Sequence, residues 1–390
     1  LKKLAYTVRA LLFQLHLYVG LAIGVYVAIL GLTGAILAFE PEIEHLADGR
    51  LLYVQPRPHR LSFAELGAAL ARAYPAQRVF GYNMGASPDR STWAVIGTGP
   101  RAPSMQVYLD PYTGQILGSP NPQRTVLSLI ANIHVRLAPP RRGHGRLAVA
   151  FVNWITVAAL LVLLSGIYLW WPQMRFGIGA ARGRRLWRDL HITSGIVGAV
   201  FLVLLAASGI VIGFGNTTRP LFYALTGSKP EAQRNIAAAA PNAGPTISLD
   251  QAFAIARTAL PGAQPLSIFG PTAEGVYVVV ARAAGPDVEA RSRAVIDQHT
   301  GAVLYSELAH DRPAGERLWH LNQSIHFGDI FGMASQVVMG LASLLVTLQA
   351  LSGVVMWVKR PQLRGTIGAL VATAAVTAMA LYAVLAPNAR

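Results

Sequence analysis

The chain has 390 residues, 53% of them hydrophobic and only 13% charged, and its mean hydropathy is +0.42. That composition excludes an ordinary soluble domain and points to a membrane protein. The formal net charge of +15 is scattered over several loops, so no nucleic-acid partner is expected, and the absence of cysteine excludes disulfides, cysteine-ligated iron–sulfur clusters and covalent C-x-x-C-H haem attachment.

The first charge-free run, Leu11–Phe39, follows Lys2, Lys3 and Arg9. It exceeds the ~20 residues that cross a hydrocarbon core and predicts a first transmembrane helix over 10–39. It is too long for the apolar core of a signal peptide, so it is expected to be a retained anchor. Residues 40–127 read as an external α+β module. Ser62-Phe-Ala-Glu65 opens an amphipathic helix with capping-box spacing, and Pro75 ends it. Thr92-Trp-Ala-Val-Ile96 is strand-like, and Asp110-Pro-Tyr-Thr113-Gly114 is turn chemistry between two short strands. Residues 128–172 predict an interfacial helix and a second span built on Leu147–Trp171. A basic loop, 173–189, leads to a third span over 190–214.

A second module, 215–316, repeats the first. Ser248-Leu-Asp-Gln251 opens a helix ended by Pro261, Val276-Tyr-Val-Val-Val280 is strand-like, and Asp297-Gln-His-Thr300-Gly301 is the turn. Residues 317–358 predict another interfacial helix and a fourth span from Met333 to Val358. A fifth span, 366–386, has no counterpart in the repeat. The expected fold is therefore an α-helical integral membrane protein with two external α+β modules. It is a tandem helix–module–helix repeat of one orientation, plus one C-terminal helix.

Lys2, Lys3 and Arg9, the five arginines of the 173–189 loop, and Lys359, Arg360 and Arg364 all fall on one side. The positive-inside rule makes that side cytoplasmic. Arg141, Arg142 and Arg146 lie on the other side, in a long loop where the rule weakens. The N-terminus is then cytoplasmic, the C-terminus and both modules are external, and membrane lipid surrounds the spans.

The repeat carries histidines in register. Leu15-His16 to Phe39 aligns without a gap with Leu190-His191 to Phe214, since 191 − 16 and 214 − 39 both equal 175. Ile133-His134 matches Ile325-His326. The segment after each of these ends in Ser-Gly-x-x-x-Trp, Ser165-Gly166 to Trp170 and Ser352-Gly353 to Trp357. An ionisable group at a membrane helix is a functional candidate. From His16 to the end of its helix is about 23 residues, or ~35 Å, so His16 cannot share a metal ion with His134. Depth allows two ligand pairs, His16 with His191 and His134 with His326, and the repeat symmetry selects the same partners. Gly20, Gly24, Gly31 and Gly34 form a small-residue stripe with His16, matched by Gly195, Ala199, Ala206 and Gly209. Such a stripe serves helix packing or close approach of a cofactor. His45, His59, His144, His299, His310 and His320 read as surface or supporting residues.

The Asp-x-x-Thr-Gly-x-(Ile/Val)-Leu turns and the helix ends Gly-Ile-Tyr-Leu-Trp170-Trp171-Pro172 and Gly-Val-Val-Met-Trp357 resemble the PepSY-associated transmembrane helix proteins of bacteria. The resemblance runs to about Arg364. Members of that family include inner-membrane ferric-siderophore reductases with two b haems. The resemblance thus implies two haem b groups with His16, His191, His134 and His326 as axial ligands to the iron. It further implies a ferric siderophore as periplasmic substrate and a quinol or cytoplasmic reductase as donor. Arg9 and Arg188 on one side, and Arg136, Arg141, Arg142 and Arg146 on the other, are placed to meet haem carboxylates or lipid phosphates. Gly97-Thr-Gly99 lacks the following helix that a dinucleotide site needs. The alternative is a non-redox membrane-anchored protein whose modules bind peptides or regulate peptidases. A transporter is weaker, because the spans hold no Asp, Glu, Lys or Arg.

Overall fold

The computed structural model describes residues 2–85, 87–99, 103–121, 125–137, 145–174, 176–179, 182–230, 236–238, 244–283 and 291–359. The expected fifth span over 366–386 lies outside the described residues, as do Arg141, Arg142, His144, Arg360 and Arg364.

The proline-free apolar run of the first span makes one continuous helix, α1 (Lys2–Leu37). Pro41 begins a new helix, α2 (Glu40–Leu52), because proline fits a first helical turn but cannot continue an existing one. The capping box forms as its sequence predicts: Ser62 accepts from the Glu65 N–H and opens α3 (Phe63–Ala73). Strands β1 (Arg78–Met84), β2 (Thr92–Gly97), β3 (Ser104–Leu109) and β4 (Ile116–Gly118) complete the first module. A short helix, α4 (Val126–Arg136), precedes the second span, α5 (Gly145–Trp170). After the basic loop come α6 (Arg184–Val197), α7 (Ala199–Gly213) and α8 (Gly215–Thr226). The second module is α9 (Leu249–Ala259), again opened by a capping box, with β5 (Gln264–Phe269), β6 (Val276–Arg282), β7 (Arg291–Asp297) and β8 (Val303–Glu307). Helices α10 (Ala314–Phe327) and α11 (Met333–Val358) follow.

Two features depart from the sequence reading. First, the modules are not separate bodies. Their strands form a single eight-stranded sheet in the order β4-β3-β2-β1-β5-β6-β7-β8, joined by antiparallel pairing of β1 with β5. Both strands carry a bulge at matching places, Val79/Gly81 and Pro265/Ser267. Tyr82 pairs directly with Ile268, and these two are offset by the same interval as the strands' first residues (268 − 82 = 264 − 78 = 186). Helices α3 and α9 cover one face over a joint core that includes Leu66, Leu70, Tyr82, Ile96, Ile268, Val279 and Ile296. Asp250 on α9 accepts from the backbone N–H of Phe63 at 2.8 Å and of Ala64 at 3.1 Å, so the second module supplies an anion to the N-terminus of the first module's helix.

Second, the third span is not one helix. Helices α1, α5 and α11 are long and apolar enough to cross a membrane, whereas α6 and α7 are bent by 70° at Gly198. Gln349 of α11 is the asymmetric element. Its side-chain N–H donates to the His191 carbonyl at 2.8 Å and to Ser194 Oγ at 2.7 Å. A helix bends where glycine or an inserted side chain weakens its ladder, and Gly198 stands where α1 has Ile23 (198 − 175). The matching residue of α5 is Val162 (349 − 187, the offset of Ser352 from Ser165), which can make no such bond, and α1 stays unbroken.

The seam generates a prediction. A Cβ at Gly81 would stand 2.3 Å from Phe269 Cδ1 and 2.5 Å from the Ile268 carbonyl oxygen, whereas Gly99 has open space around it. Gly81→Val should therefore lower stability by about 1–3 kcal/mol or more by overpacking the seam. Thermal unfolding in detergent measures this, and Gly99→Ala should leave the transition in place.

Candidate functional site

Helix α1 packs against α11 and α5, α7 against α5, and α6 against α11. The two histidine-bearing helices, α1 and α6–α7, face each other across a cavity of about 1590 Å³. This exceeds the roughly 300–1,000 Å³ of a pocket for one small ligand. All four predicted histidines line it, and so do all eight residues of the small-residue stripe. The stripe serves packing at some positions and leaves room for a histidine ring at others. Gly31 is a packing position, where a Cβ would meet Thr347 Oγ1 at 2.6 Å, while Gly34 makes room for a histidine ring.

Each histidine is held the same way. His16 Nδ1 lies 3.0 Å from Ser165 Oγ and 3.0 Å from the Val162 carbonyl. His191 Nδ1 lies 3.0 Å from Ser352 Oγ and 3.1 Å from the Gln349 carbonyl. On the module side, His134 Nδ1 meets Thr33 Oγ1 at 3.0 Å and His326 Nδ1 meets Ser208 Oγ at 2.9 Å. The four hydroxyl protons are already committed to helix carbonyls, those of Val162, Gln349, Ile29 and Leu204. The hydroxyl oxygens therefore accept, and Nδ1–H donates. That assigns the neutral tautomer with its lone pair on Nε2, the form that binds a metal ion.

The residue after each hydroxyl is glycine, and at three of the four sites a larger residue would crowd the imidazole. A Cβ would stand 3.0 Å from His16 Cε1 at Gly166, 3.1 Å from His134 at Gly34, 3.1 Å from His326 at Gly209 and 3.4 Å from His191 at Gly353. The Ser-Gly of Ser-Gly-x-x-x-Trp is thus a histidine clamp. Sequence reasoning noted these two dipeptides without a role and passed over Thr33 and Ser208. The available signal was their offset, since Thr33-Gly34 and Ser208-Gly209 are 175 apart, as are His16 and His191.

The structure brings the rings of one expected pair together. The rings of His16 and His191 have centroids 6.1 Å apart and planes at 81°. Two imidazoles bound through Nε2 at about 2 Å to one ion would hold their ring centres about 6 Å apart. His134 and His326 line the same cavity, nearer the modules. Both sit in the last turn of a short helix that ends in a left-handed residue, Leu137 after α4 and Gly328 after α10. From His16 to Thr33 along α1 is 17 residues, so the two levels are about 25 Å apart. Among the described residues no group of three or more His, Cys, Asp or Glu could enclose a bare ion. Paired imidazoles suit an ion that brings its own equatorial donors, and the donor set and ring spacing fit a b-type haem.

The charge at the cavity's two ends differs. Arg9, Arg184 and Arg188 line the end near His16 and His191, and Glu40 and Asp329 line the module end. Arg136 and Arg146 do not line it.

A polar network anchors α10. Arg219 of α8 forms a two-pronged ion pair with Glu316, including an Nε–Oε2 bond of 2.8 Å, and Tyr223 donates to Glu316 at 2.6 Å. His320 lies 3.2 Å from the same carboxylate, and Arg312 bridges to Glu307 of β8 at 3.1 Å. His320 is therefore a structural member of this network. Burial would raise the Glu316 carboxyl, but hydrogen bonds from Arg219 and Tyr223 outweigh it and hold the group below its usual range. A depressed carboxyl stabilises the fold above the ordinary carboxylate pKa of about 4.3, and that contribution is lost as pH falls through the folded value. Glu316→Gln should cost about 1–3 kcal/mol, less than a fully buried pair because Arg219 is half exposed. Hydrogen exchange of α10 at neutral pH reads the loss, and the difference from the parent protein should shrink at acid pH.

No curated protein matches this chain. A family model described as the PepSY-associated TM region matches residues 13–360. With its apolar spans, its antiparallel sheet and a match over most of its length, the chain belongs to the PepSY-associated TM region family.

Proposed function

We propose that the protein is a di-haem b electron conduit of the bacterial inner membrane that reduces a ferric siderophore on the periplasmic side and so releases its iron. The observation that carries the reading is the fourfold histidine clamp. Four imidazoles, each held by a hydroxyl beside a glycine with Nε2 left for a ligand, line one cavity at two levels. When bound, two b haems supply one-electron carriers near the two sides of the membrane, between an inner donor and an outer ferric acceptor.

The chain's own residues provide the holding and orienting. His16 and His191 offer ligands on the side of the basic loops, and His134 and His326 on the module side. The serine and threonine hydroxyls set ring tautomer and direction. The walls of the cavity on α1, α5, α7 and α11 are mostly apolar. Reduction of Fe(III) to Fe(II) weakens its hold on hard oxygen ligands, so the iron leaves with no bond in the siderophore broken. Two related helix–module–helix units about an axis along the membrane normal, with the basic loops in the cytoplasm, account for both the 175-residue offset and the facing of like histidines. The donor is a quinol or a separate reductase.

The visible spectrum of the purified protein tests this. A Soret band and two haems per chain by pyridine haemochrome are expected. His134→Ala or His326→Ala should remove one haem, and His16→Ala or His191→Ala the other. Gly166→Val, which crowds His16, should lower occupancy of the inner site alone. A colourless protein would sink the reading and leave the peptide-binding alternative. Loss of both haems, or of neither, in every single variant would contradict the pairing.

A further inference from the structure

Beneath the His16/His191 pair the cavity ends in cations whose positions repeat. Arg9 and Arg184 are separated by the same 175 residues as the two histidines (184 − 9 = 191 − 16). Each stands seven residues before its histidine, two helical turns to within about 20° and about 10 Å along the axis. Each therefore shares the histidine's helix face. Their hydrogen bonds also correspond. Arg9 donates to the Leu169 carbonyl at 2.7 Å, in the last turn of α5, and Arg184 donates to the Met356 carbonyl at 3.2 Å, in the last turn of α11. Leu169 and Met356 are offset by 187, the interval between Ser165 and Ser352 (356 − 169 = 352 − 165).

These bonds orient the two guanidiniums without using them up. Each offers five N–H donors in a planar fork suited to a carboxylate, and the carbonyl bond takes one. Both side chains line the cavity. Arg188 also lines it, but it pairs with the adjacent Asp189 at 2.9 Å and has Phe13 at the corresponding place in α1. The module end, by contrast, is lined by Glu40 and Asp329 and would repel an anion.

Resting on the two-haem reading, we propose that Arg9 and Arg184 are a carboxylate-binding subsite, one from each half of the repeat, for the propionates of the haem between His16 and His191. They fix that haem with its carboxylate edge toward the basic loops.

The test is a redox titration of the purified holoprotein followed by its visible spectrum. The wave missing in His16→Ala identifies the inner haem. In Arg9→Gln/Arg184→Gln the inner wave should move to lower potential, since unpaired propionates favour the ferric state, or the inner haem alone should be lost. Arg9→Lys/Arg184→Lys should recover most of the shift, and Arg257→Gln, on α9 and away from the cavity, should leave both waves in place. The outer wave serves as the folding control, and each single glutamine variant should give a smaller shift of the same sign if the double variant does not accumulate. An inner wave unmoved in the glutamine variants overturns the proposal and leaves the arginines as helix caps or lipid-phosphate contacts. Equal movement of both waves overturns it too. A parent protein without haem fails the functional reading itself, a result distinct from two waves that do not respond.

Discussion

An imidazole inside an apolar bundle must satisfy its ring N–H, and the way this chain does so organises the membrane half of the molecule. Four times, Nδ1–H finds a hydroxyl whose own proton already belongs to a helix carbonyl. An unmet donor there would cost about 1–3 kcal/mol. The solution requires a second helix at close range, so the clamp also fixes the packing of α1 against α5, of α6 against α11, and of α4 and α10 against the tops of α1 and α7. Glycine after each hydroxyl permits the approach. A cavity remains between the histidine helices because their facing side chains are small.

The module half follows a different rule. A four-stranded antiparallel module leaves one edge open, and exposed edges invite unwanted pairing. Here β1 and β5 close each other's edges, and the shared core beneath α3 and α9 makes the seam continuous. The outer ends of the spans are thereby tied to one rigid platform. Glu316 adds a direct strut from α8 to the helix that carries His326. The bend at Gly198 departs from symmetry: α1 has Ile23 at the matching position, and Gln349 braces the helix just before the bend.

Much of the site was legible because depth and offset are one-dimensional quantities. Hydropathy located the spans, the basic loops set histidine depth, and the 175-residue offset paired His16 with His191. The capping boxes at Ser62 and Ser248 were equally readable, since their partners lie three residues away. The roles of Thr33 and Ser208 were not, because each meets a histidine more than 100 residues distant. Arg184 was passed over for Arg188, which is nearer to His191 in sequence but turned toward Asp189.

The sequence by itself determined a membrane chain whose halves share a 175-residue offset, with four histidines in register and no cysteine. Those conclusions need only periodicity, charge and spacing along one helix. The tertiary structure decided that the modules share one sheet, that the third span is broken, and that each imidazole is clamped with Nε2 free. Strand partners, helix bends and hydrogen-bond direction depend on groups brought together from distant parts of the chain, and no local pattern specifies them.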